Sequence, residues 1–230
     1  MKIHGLQKMT LLDFPGHVAA TVFLGSCDWR CPFCHNFELA TGEAEAVMTD
    51  GELFAFLEKR KGILDGVAVT GGEPTLHKEL PQLLETIRQM GFAVKLDTNG
   101  MHPDMLGTLL EKQLVDYAAM DIKNSPAKYA LTCGVDSLDL APVRESVSLL
   151  MHSGIGYEFR TTVVRELHEE EDFHEIGRWT AGAENYFLQS FTDRDTVPFG
   201  NLSAPSREQL DSFRNILEGY VKSVQIRGVE

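Results

Sequence analysis

Three of the chain's four cysteines fall within eight positions, as Cys27, Cys31 and Cys34 in the segment "GSCDWRCPFCHNFEL" (25 to 39). The C-x3-C-x2-C spacing places three thiols on one short loop. Three thiolates held so close repel one another unless a cation shares their charge. Several chemistries fit such a loop. A zinc site would take His35 as its fourth ligand, but zinc ligands usually come as two separated pairs and the sequence has no second pair. The run "CPFCH" satisfies the haem-attachment pattern, yet that attachment belongs to exported chains and leaves Cys27 unexplained. A dithiol redox pair of Cys31 and Cys34 would normally open a helix in a smaller fold. A four-iron cluster needs one outside ligand per iron; the three cysteines supply three, and the fourth iron stays open to bind a reactive molecule. Cys133, alone in "LTCGV", reads most simply as a packed thiol, with a fourth cluster ligand as the other reading.

The bulk numbers narrow the setting. At 230 residues and 43% hydrophobic, the chain is long enough to bury one substantial core. Its formal charge of −13 argues against nucleic acid as a partner, since phosphate backbones are held by lysine and arginine displacing counterions. Polar and charged positions run through the first thirty residues (Lys2, His4, Gln7, Lys8, Asp13, His17), so neither a signal-peptide core nor a membrane span is expected. A cytoplasmic location follows as the expectation. There, reducing thiol buffers favour a metal-binding or catalytic role for a tight cysteine cluster over a disulfide framework.

A scaffold must bring these residues to other chemistry. From residue 17 onward, short apolar runs alternate with amphipathic stretches: "HVAATVFLGS", "GVAVTGG", "FAVKLDTNG", "VDYAAMDIK", "YEFRTTVV" and "ENYFLQSF" read as strands. Helices are predicted between them, in "DGELFAFLEKRKG" with Thr49 or Asp50 as N-cap, "KELPQLLETIRQMG", "PDMLGTLLEKQL", "DLAPVRESVSLLMHSG", "EDFHEIGRWTAG" and "SREQLDSFRNILEGY". Strand–helix alternation implies parallel pairing through right-handed crossovers. Six units are too few for an eight-unit barrel, which needs roughly 250 residues. The expected fold is therefore α/β, an open partial (βα)6 TIM-like barrel with a parallel sheet, and a doubly wound sheet is the alternative. One domain over 1–230 is expected, with an N-terminal extension (1–16), the βα repeats (17–218) and a C-terminal strand or tail (219–230).

In parallel βα barrels function gathers where strands end. The predicted strands end on the cysteine loop, on "TGGEP" (Gly71, Gly72, Glu73), on "DTNG" (Asp97, Thr98, Asn99), on "DIK" (Asp121, Lys123), on Arg160 and Thr162, and on Gln189 to Thr192. Paired glycines after a buried strand let backbone approach a ligand. Asp97 and Asp121, converging in a partly buried site, need a cation, a hydrogen-bond network or a raised pKa. Lys123 and Arg160 suit an anionic carboxylate or a developing charge. Asn99 is as well placed to hold a turn as to touch a ligand. His4, His17, His77, His102, His152, His168 and His174 lack metal spacing and read as surface or satisfied core residues. The acidic run "ELHEEEDFHE" (166 to 175) reads as the solvated start of a helix, with partner docking as the other reading.

Together these residues resemble the radical S-adenosylmethionine (radical SAM) enzymes, whose signature is C-x3-C-x2-C after the first strand of a βα repeat. Phe33, the aromatic residue before the last cysteine, matches, as does the "CHN" (with Asn36) that follows in activating enzymes. "DFPGH" is similar to the D-G-P-G stretch of glycyl-radical-enzyme activases, with Phe14 departing from glycine. "TGGEP", "LDTNG" and "MDIK" follow in the family's order. Within the family the chain most resembles the anaerobic ribonucleoside-triphosphate reductase activating proteins, with pyruvate formate-lyase activating enzymes as close relatives.

The resemblance implies an oxidoreductase with a [4Fe-4S] cluster on Cys27, Cys31 and Cys34 and S-adenosylmethionine at the open iron. It assigns the backbone at Gly71 and Gly72, with Glu73, to the cofactor's amino group, and gives Lys123 and Arg160 to the cofactor pocket. It adds Phe33, Asn36, Asn99 and Gln189 as contacts, and a possible monovalent cation near Asp97, Thr98 and Asp121. Thr192 stands where relatives have a histidine, which leaves the adenine-side contacts open. The implied reaction yields a 5′-deoxyadenosyl radical that takes hydrogen from a glycine of a partner glycyl radical enzyme, with a reductant such as flavodoxin or ferredoxin. A radical SAM enzyme acting on a small molecule, such as a deazapurine precursor, and a non-catalytic zinc or iron–sulfur protein are the competing readings.

Overall fold

The computed structural model describes residues 1–228, so positions 229 and 230 of the expected tail lie outside the described residues. The strands are β1 (Lys2–Ile3), β2 (Gly5–Thr10), β3 (Ala19–Leu24), β4 (Met48–Thr49), β5 (Gly66–Gly71), β6 (Ala93–Thr98), β7 (Tyr117–Asp121), β8 (Gly156–Val163), β9 (Tyr186–Ser190) and β10 (Val224–Arg227). The helices are α1 (Phe37–Thr41), α2 (Asp50–Glu58), α3 (Leu80–Gln89), α4 (Pro103–Glu111), α5 (Tyr129–Cys133), α6 (Ala141–Met151), α7 (Glu170–Trp179) and α8 (Arg207–Leu217).

The main sheet has the order β10-β9-β8-β7-β6-β5-β3-β2, with β2 antiparallel and every other neighbour parallel. Successive parallel strands lie side by side and the order never reverses. A doubly wound sheet reverses at its switch point, so this is barrel winding, left open between β2 and β10. The expected partial barrel is what the chain forms. Within the segment before residue 17, β2 joins the sheet by pairing with β3, with a register shift between Gln7 and Thr10.

Local sequence explains the elements. β3 reads "AATVFL" and is buried at all but one position, as a parallel strand covered on both faces should be. In α3, Leu80, Leu83, Leu84 and Ile87 recur at i, i+3, i+4 and i+7 and are buried together. Each such leucine is worth about 1.5–3 kcal/mol when removed from water. Thr49 and Glu52 form the capping box of α2, Pro103 opens α4, and Ser206 with Gln209 caps α8.

The "DFPGH" segment closes the opposite end of the barrel from the cysteine loop. Phe14 is buried, stacks on His17 with ring centroids 4.0 Å apart and lies 6.3 Å from Tyr117. Gly66 leaves the space for it, since a Cβ there would stand 2.8 Å from the Phe14 ring. Asp13 accepts the Thr21 hydroxyl at 2.6 Å. The phenylalanine that departs from the activase pattern is thus a plug at the barrel's N-terminal end.

The acidic run is only partly solvated. Glu170 and Glu171 open α7 on its exposed side, but Asp172 is buried, bonding Lys128 at 2.8 Å and the Ser125 hydroxyl at 2.6 Å. His168 is also buried. Its Nδ1 accepts the Val164 N–H at 3.1 Å, which leaves Nε2 to donate to the Lys123 carbonyl at 2.9 Å.

Candidate functional site

A cavity of about 260 Å³ opens at the C-terminal ends of the parallel strands. It is lined by all three clustered cysteines and by every pocket residue expected from the sequence: Phe33, Asn36, Gly71, Gly72, Glu73, Asp97, Thr98, Asn99, Asp121, Lys123, Arg160 and Gln189. Trp29, His35, Ala40, Thr70 and Thr162 complete the lining. Thr192 contributes only its carbonyl, which receives His35 Nε2 at 2.7 Å while the His35 ring stacks parallel to Phe191. Cys133 lies outside the cavity and fully buried, as expected for a packed thiol.

Backbone bonds fix the cysteine loop. Ser26 N–H donates to Leu39 at 2.7 Å and Cys27 N–H to Ala40 at 3.2 Å, so the short helix α1 holds the start of the loop. Arg30 N–H donates to the Cys133 carbonyl at 2.9 Å and the Cys34 N–H to Cys31 at 3.1 Å. The Gly-Gly step has a reason beyond ligand access. A Cβ on Gly71, whose φ is 121°, would stand 2.2 Å from the Leu24 carbonyl oxygen, and one on Gly72 would stand 1.9 Å from that of Ser26. The loop after β5 therefore packs backbone to backbone against the cysteine loop, and Glu73 N–H donates to the Ser26 carbonyl at 2.7 Å.

Glu73 is turned inward as a clamp. Its carboxylate accepts the N–H and hydroxyl of Thr75, the Thr98 hydroxyl at 2.8 Å and the Asn99 N–H at 2.6 Å. Burial raises its carboxyl above the usual range, and these bonds only partly offset that. Asn99 in turn reaches Cys27 Sγ with its Nδ2 at 3.9 Å and caps Met101 N–H with its Oδ1 at 2.9 Å. The bond to Met101 is the turn contact expected of Asn99. Asn36 Nδ2 donates to the Gly71 carbonyl at 3.3 Å.

The floor of the cavity is a lattice of charge. Arg160 bridges the two aspartates, with Nε 3.0 Å from Asp121 Oδ1 and Nη1 3.4 Å from Asp97 Oδ2. Lys123 Nζ lies 2.9 Å from Asp121 Oδ2, and Lys95 pairs with Asp97 Oδ1. Burial would raise Asp97, but Arg160 and Lys95 outweigh it and hold the carboxyl below its usual range. Asp121 is likewise held below its usual range: burial opposes, and Lys123 and Arg160 prevail. Burial likewise opposes the charge on Lys123 and Arg160, yet the aspartates keep both firmly protonated. Lys95 was missed in the sequence because "FAVKLDTNG" reads as a buried strand. Its position two residues before Asp97 is the signal, since both then face the barrel interior.

The donor set fits an iron–sulfur cluster. Burial pushes the Cys27 thiol up to about 12 and raises Cys34, so neither ionises readily without a cation to bind. Cys31 is shifted the other way, chiefly by a hydrogen bond from Cys133. Among the described residues no three His, Cys, Asp or Glu side chains converge on a single point. The three cysteines can supply one outside ligand to each of three irons.

Comparisons with known proteins agree with this geometry. The Radical SAM superfamily model matches residues 21–179. A protein of Methanocaldococcus jannaschii, provisionally assigned as a glycyl-radical enzyme activating enzyme, is 30% identical over 233 residues, covering 99% of this chain and 96% of that one. The pyruvate formate-lyase-activating enzyme of Clostridium pasteurianum is 30% identical over 128 residues, 54% of this chain and 52% of the relative. Among solved structures, a domain of pyruvate-formate lyase-activating enzyme from Bacteroides vulgatus superposes with a TM-score of 0.57 at 19% identity, over 71% of this chain and 99% of that one. Streptococcus suis SuiB superposes with a TM-score of 0.66 at 14% identity, over 91% of this chain and 49% of that one, a likeness of fold. The chain belongs to the radical SAM superfamily and, within it, to the glycyl-radical enzyme activating enzymes. It is an enzyme of that class, whose cofactors are a [4Fe-4S] cluster and S-adenosylmethionine.

Proposed function

We propose that this chain installs a glycyl radical on anaerobic ribonucleoside-triphosphate reductase. The convergence of the three-cysteine loop and the Asp97–Arg160–Asp121–Lys123 lattice on one open cavity supports the radical SAM chemistry of this reading, and the motif likeness to the reductase activating proteins supports the choice of partner. Cys27, Cys31 and Cys34 would hold the cluster. When bound, cluster and cofactor supply one-electron cleavage of the sulfonium to methionine and a 5′-deoxyadenosyl radical.

The chain's own residues do the rest. Lys123 and Arg160 receive the cofactor's carboxylate with charge-assisted hydrogen bonds. The amino group meets the backbone beside Gly71 and Gly72, which Glu73 holds in place through Thr98 and Asn99. Phe33, Asn36 and Gln189 border the remainder of the cofactor, and Phe33 helps keep water from the reacting centre. The barrel mouth is where a glycine-bearing loop of the partner would enter. We infer one catalytic domain, a cytoplasmic setting and a flavodoxin or ferredoxin as reductant, with neither nucleic acid nor membrane as a partner. Among the described residues no helix is long and apolar enough to cross a membrane.

A pyruvate formate-lyase-type activase is the second reading, favoured by the Clostridium pasteurianum relative. Electron paramagnetic resonance separates the two. The reconstituted, reduced protein with S-adenosylmethionine should produce a glycyl doublet on the reductase; a doublet on the lyase alone would give the second reading, and none on either would remove both.

A further inference from the structure

Asp97 and Asp121 end neighbouring parallel strands, and all four of their carboxylate oxygens already face a basic group. Lys95 takes Asp97 Oδ1, Arg160 takes Asp97 Oδ2 and Asp121 Oδ1, and Lys123 takes Asp121 Oδ2. Lys95 is buried and the other two bases are partly so, with side chains 3% exposed for Lys95, 13% for Arg160 and 15% for Lys123. Glu158, two residues before Arg160 on β8, does not compete for it, because Arg227 binds Glu158 at 2.8 and 3.1 Å and Tyr117 donates to it at 3.0 Å.

Three basic groups thus meet the two aspartates, with the Glu73 carboxylate on the wall of the same cavity. An inorganic cation entering between the aspartates would have to displace one of these bases. That would leave a buried charge unpaired and place the ion against the guanidinium.

We propose that Lys95 and Arg160 are the resident counter-ions of the Asp97–Asp121 pair, so that the cofactor's carboxylate is bound without any inorganic monovalent cation. The inference rests on S-adenosylmethionine occupying this cavity and replaces the added cation that the family resemblance implied. Lys95 is the determinant: almost wholly buried, it supplies Asp97 Oδ1 with the positive charge that an added cation would otherwise bring.

The test is the affinity of the cluster-reconstituted protein for S-adenosylmethionine, by equilibrium dialysis at equal ionic strength in potassium, sodium or tetramethylammonium chloride. The account expects dissociation constants that agree within about twofold across the three salts. Affinity about tenfold or more higher in potassium or sodium would overturn it. Absence of binding in every salt would overturn the cofactor-site reading with it, so the two failures are distinguishable. Lys95→Met, checked for its fold by circular dichroism, should lose about tenfold in tetramethylammonium and recover in potassium. A variant whose affinity matches the unaltered protein in tetramethylammonium would contradict the role given to Lys95, and the unaltered protein's own salt series decides the matter if the variant does not fold.

Discussion

The carboxylate of Glu73 accepts the backbone N–H of Asn99 at 2.6 Å, tying the loop after β5 to the loop after β6 alongside the cysteines. The same carboxylate takes the Thr98 hydroxyl and both donors of Thr75, so it is an internal staple between two motifs of the site. Glu73→Gln keeps the shape but turns one acceptor into a donor facing donors. We predict a loss of about 1–3 kcal/mol in thermal or urea unfolding, with weaker S-adenosylmethionine binding. Thr86→Ala, which removes only an exposed hydroxyl bonded to its own helix, should stay within about 0.5 kcal/mol. Equal effects of the two changes would show that Glu73 is not a staple.

Gly72 offers a sharper steric test. A methyl group there meets the Ser26 carbonyl oxygen at 1.9 Å, and that neighbour is backbone with nowhere to move except by shifting the cysteine loop. Gly72→Ala is expected to lose most of its iron and inorganic sulfide on anaerobic reconstitution. Alanine at Gly42, where nothing lies within 4 Å of the added carbon, should retain the cluster at some cost in stability from its positive φ of 80°. A Gly72→Ala protein with a full cluster would mean that the loop contact does not position the ligands.

Acid should weaken the fold through His168. Burial lowers this imidazole's pKa by penalising the charged form, and the ring's hydrogen bonds to the Lys123 and Val164 backbone only partly offset that. In the unfolded chain it titrates near the ordinary value of about 6.5. The unfolded state therefore binds more protons below that pH, and the contribution of His168, complete above about 6.5, is lost as pH falls toward the lowered folded value. The urea midpoint should drop between pH 7.5 and 5.5, and more for the natural protein than for His168→Gln. Identical pH slopes would refute the assignment.

Much of this was legible in the sequence because barrel winding turns strand ends into one surface. Once the six strands were placed by their apolar runs, the three clustered cysteines, "GGE", "DTN", Asp121, Lys123, Arg160 and Gln189 had to share a mouth, and all line the cavity. Long-range geometry was less legible. Lys95 looked like one polar residue in a buried strand, and only its contact with Asp97 inside the barrel shows it as a counter-ion. Phe14 resembled a departure within a functional motif, whereas packing against Gly66 and Tyr117 makes it the barrel's plug. Asp172, inside an acidic run, is buried because Lys128 and Ser125 reach it from the segment after β7, a contact that no local pattern announces. The short helices α1 and α5 are five residues each, too brief for helical periodicity to register.

The central claim is that Cys27, Cys31 and Cys34 hold a cluster that cleaves S-adenosylmethionine. The direct measurement is 5′-deoxyadenosine formed by the anaerobically reconstituted, dithionite-reduced protein, compared with Cys31→Ala treated identically. The account predicts 5′-deoxyadenosine and methionine in equal amounts from the natural protein, and neither cluster nor cleavage from the variant. A full cluster without cleavage in the natural protein, or cleavage retained by Cys31→Ala, would contradict it.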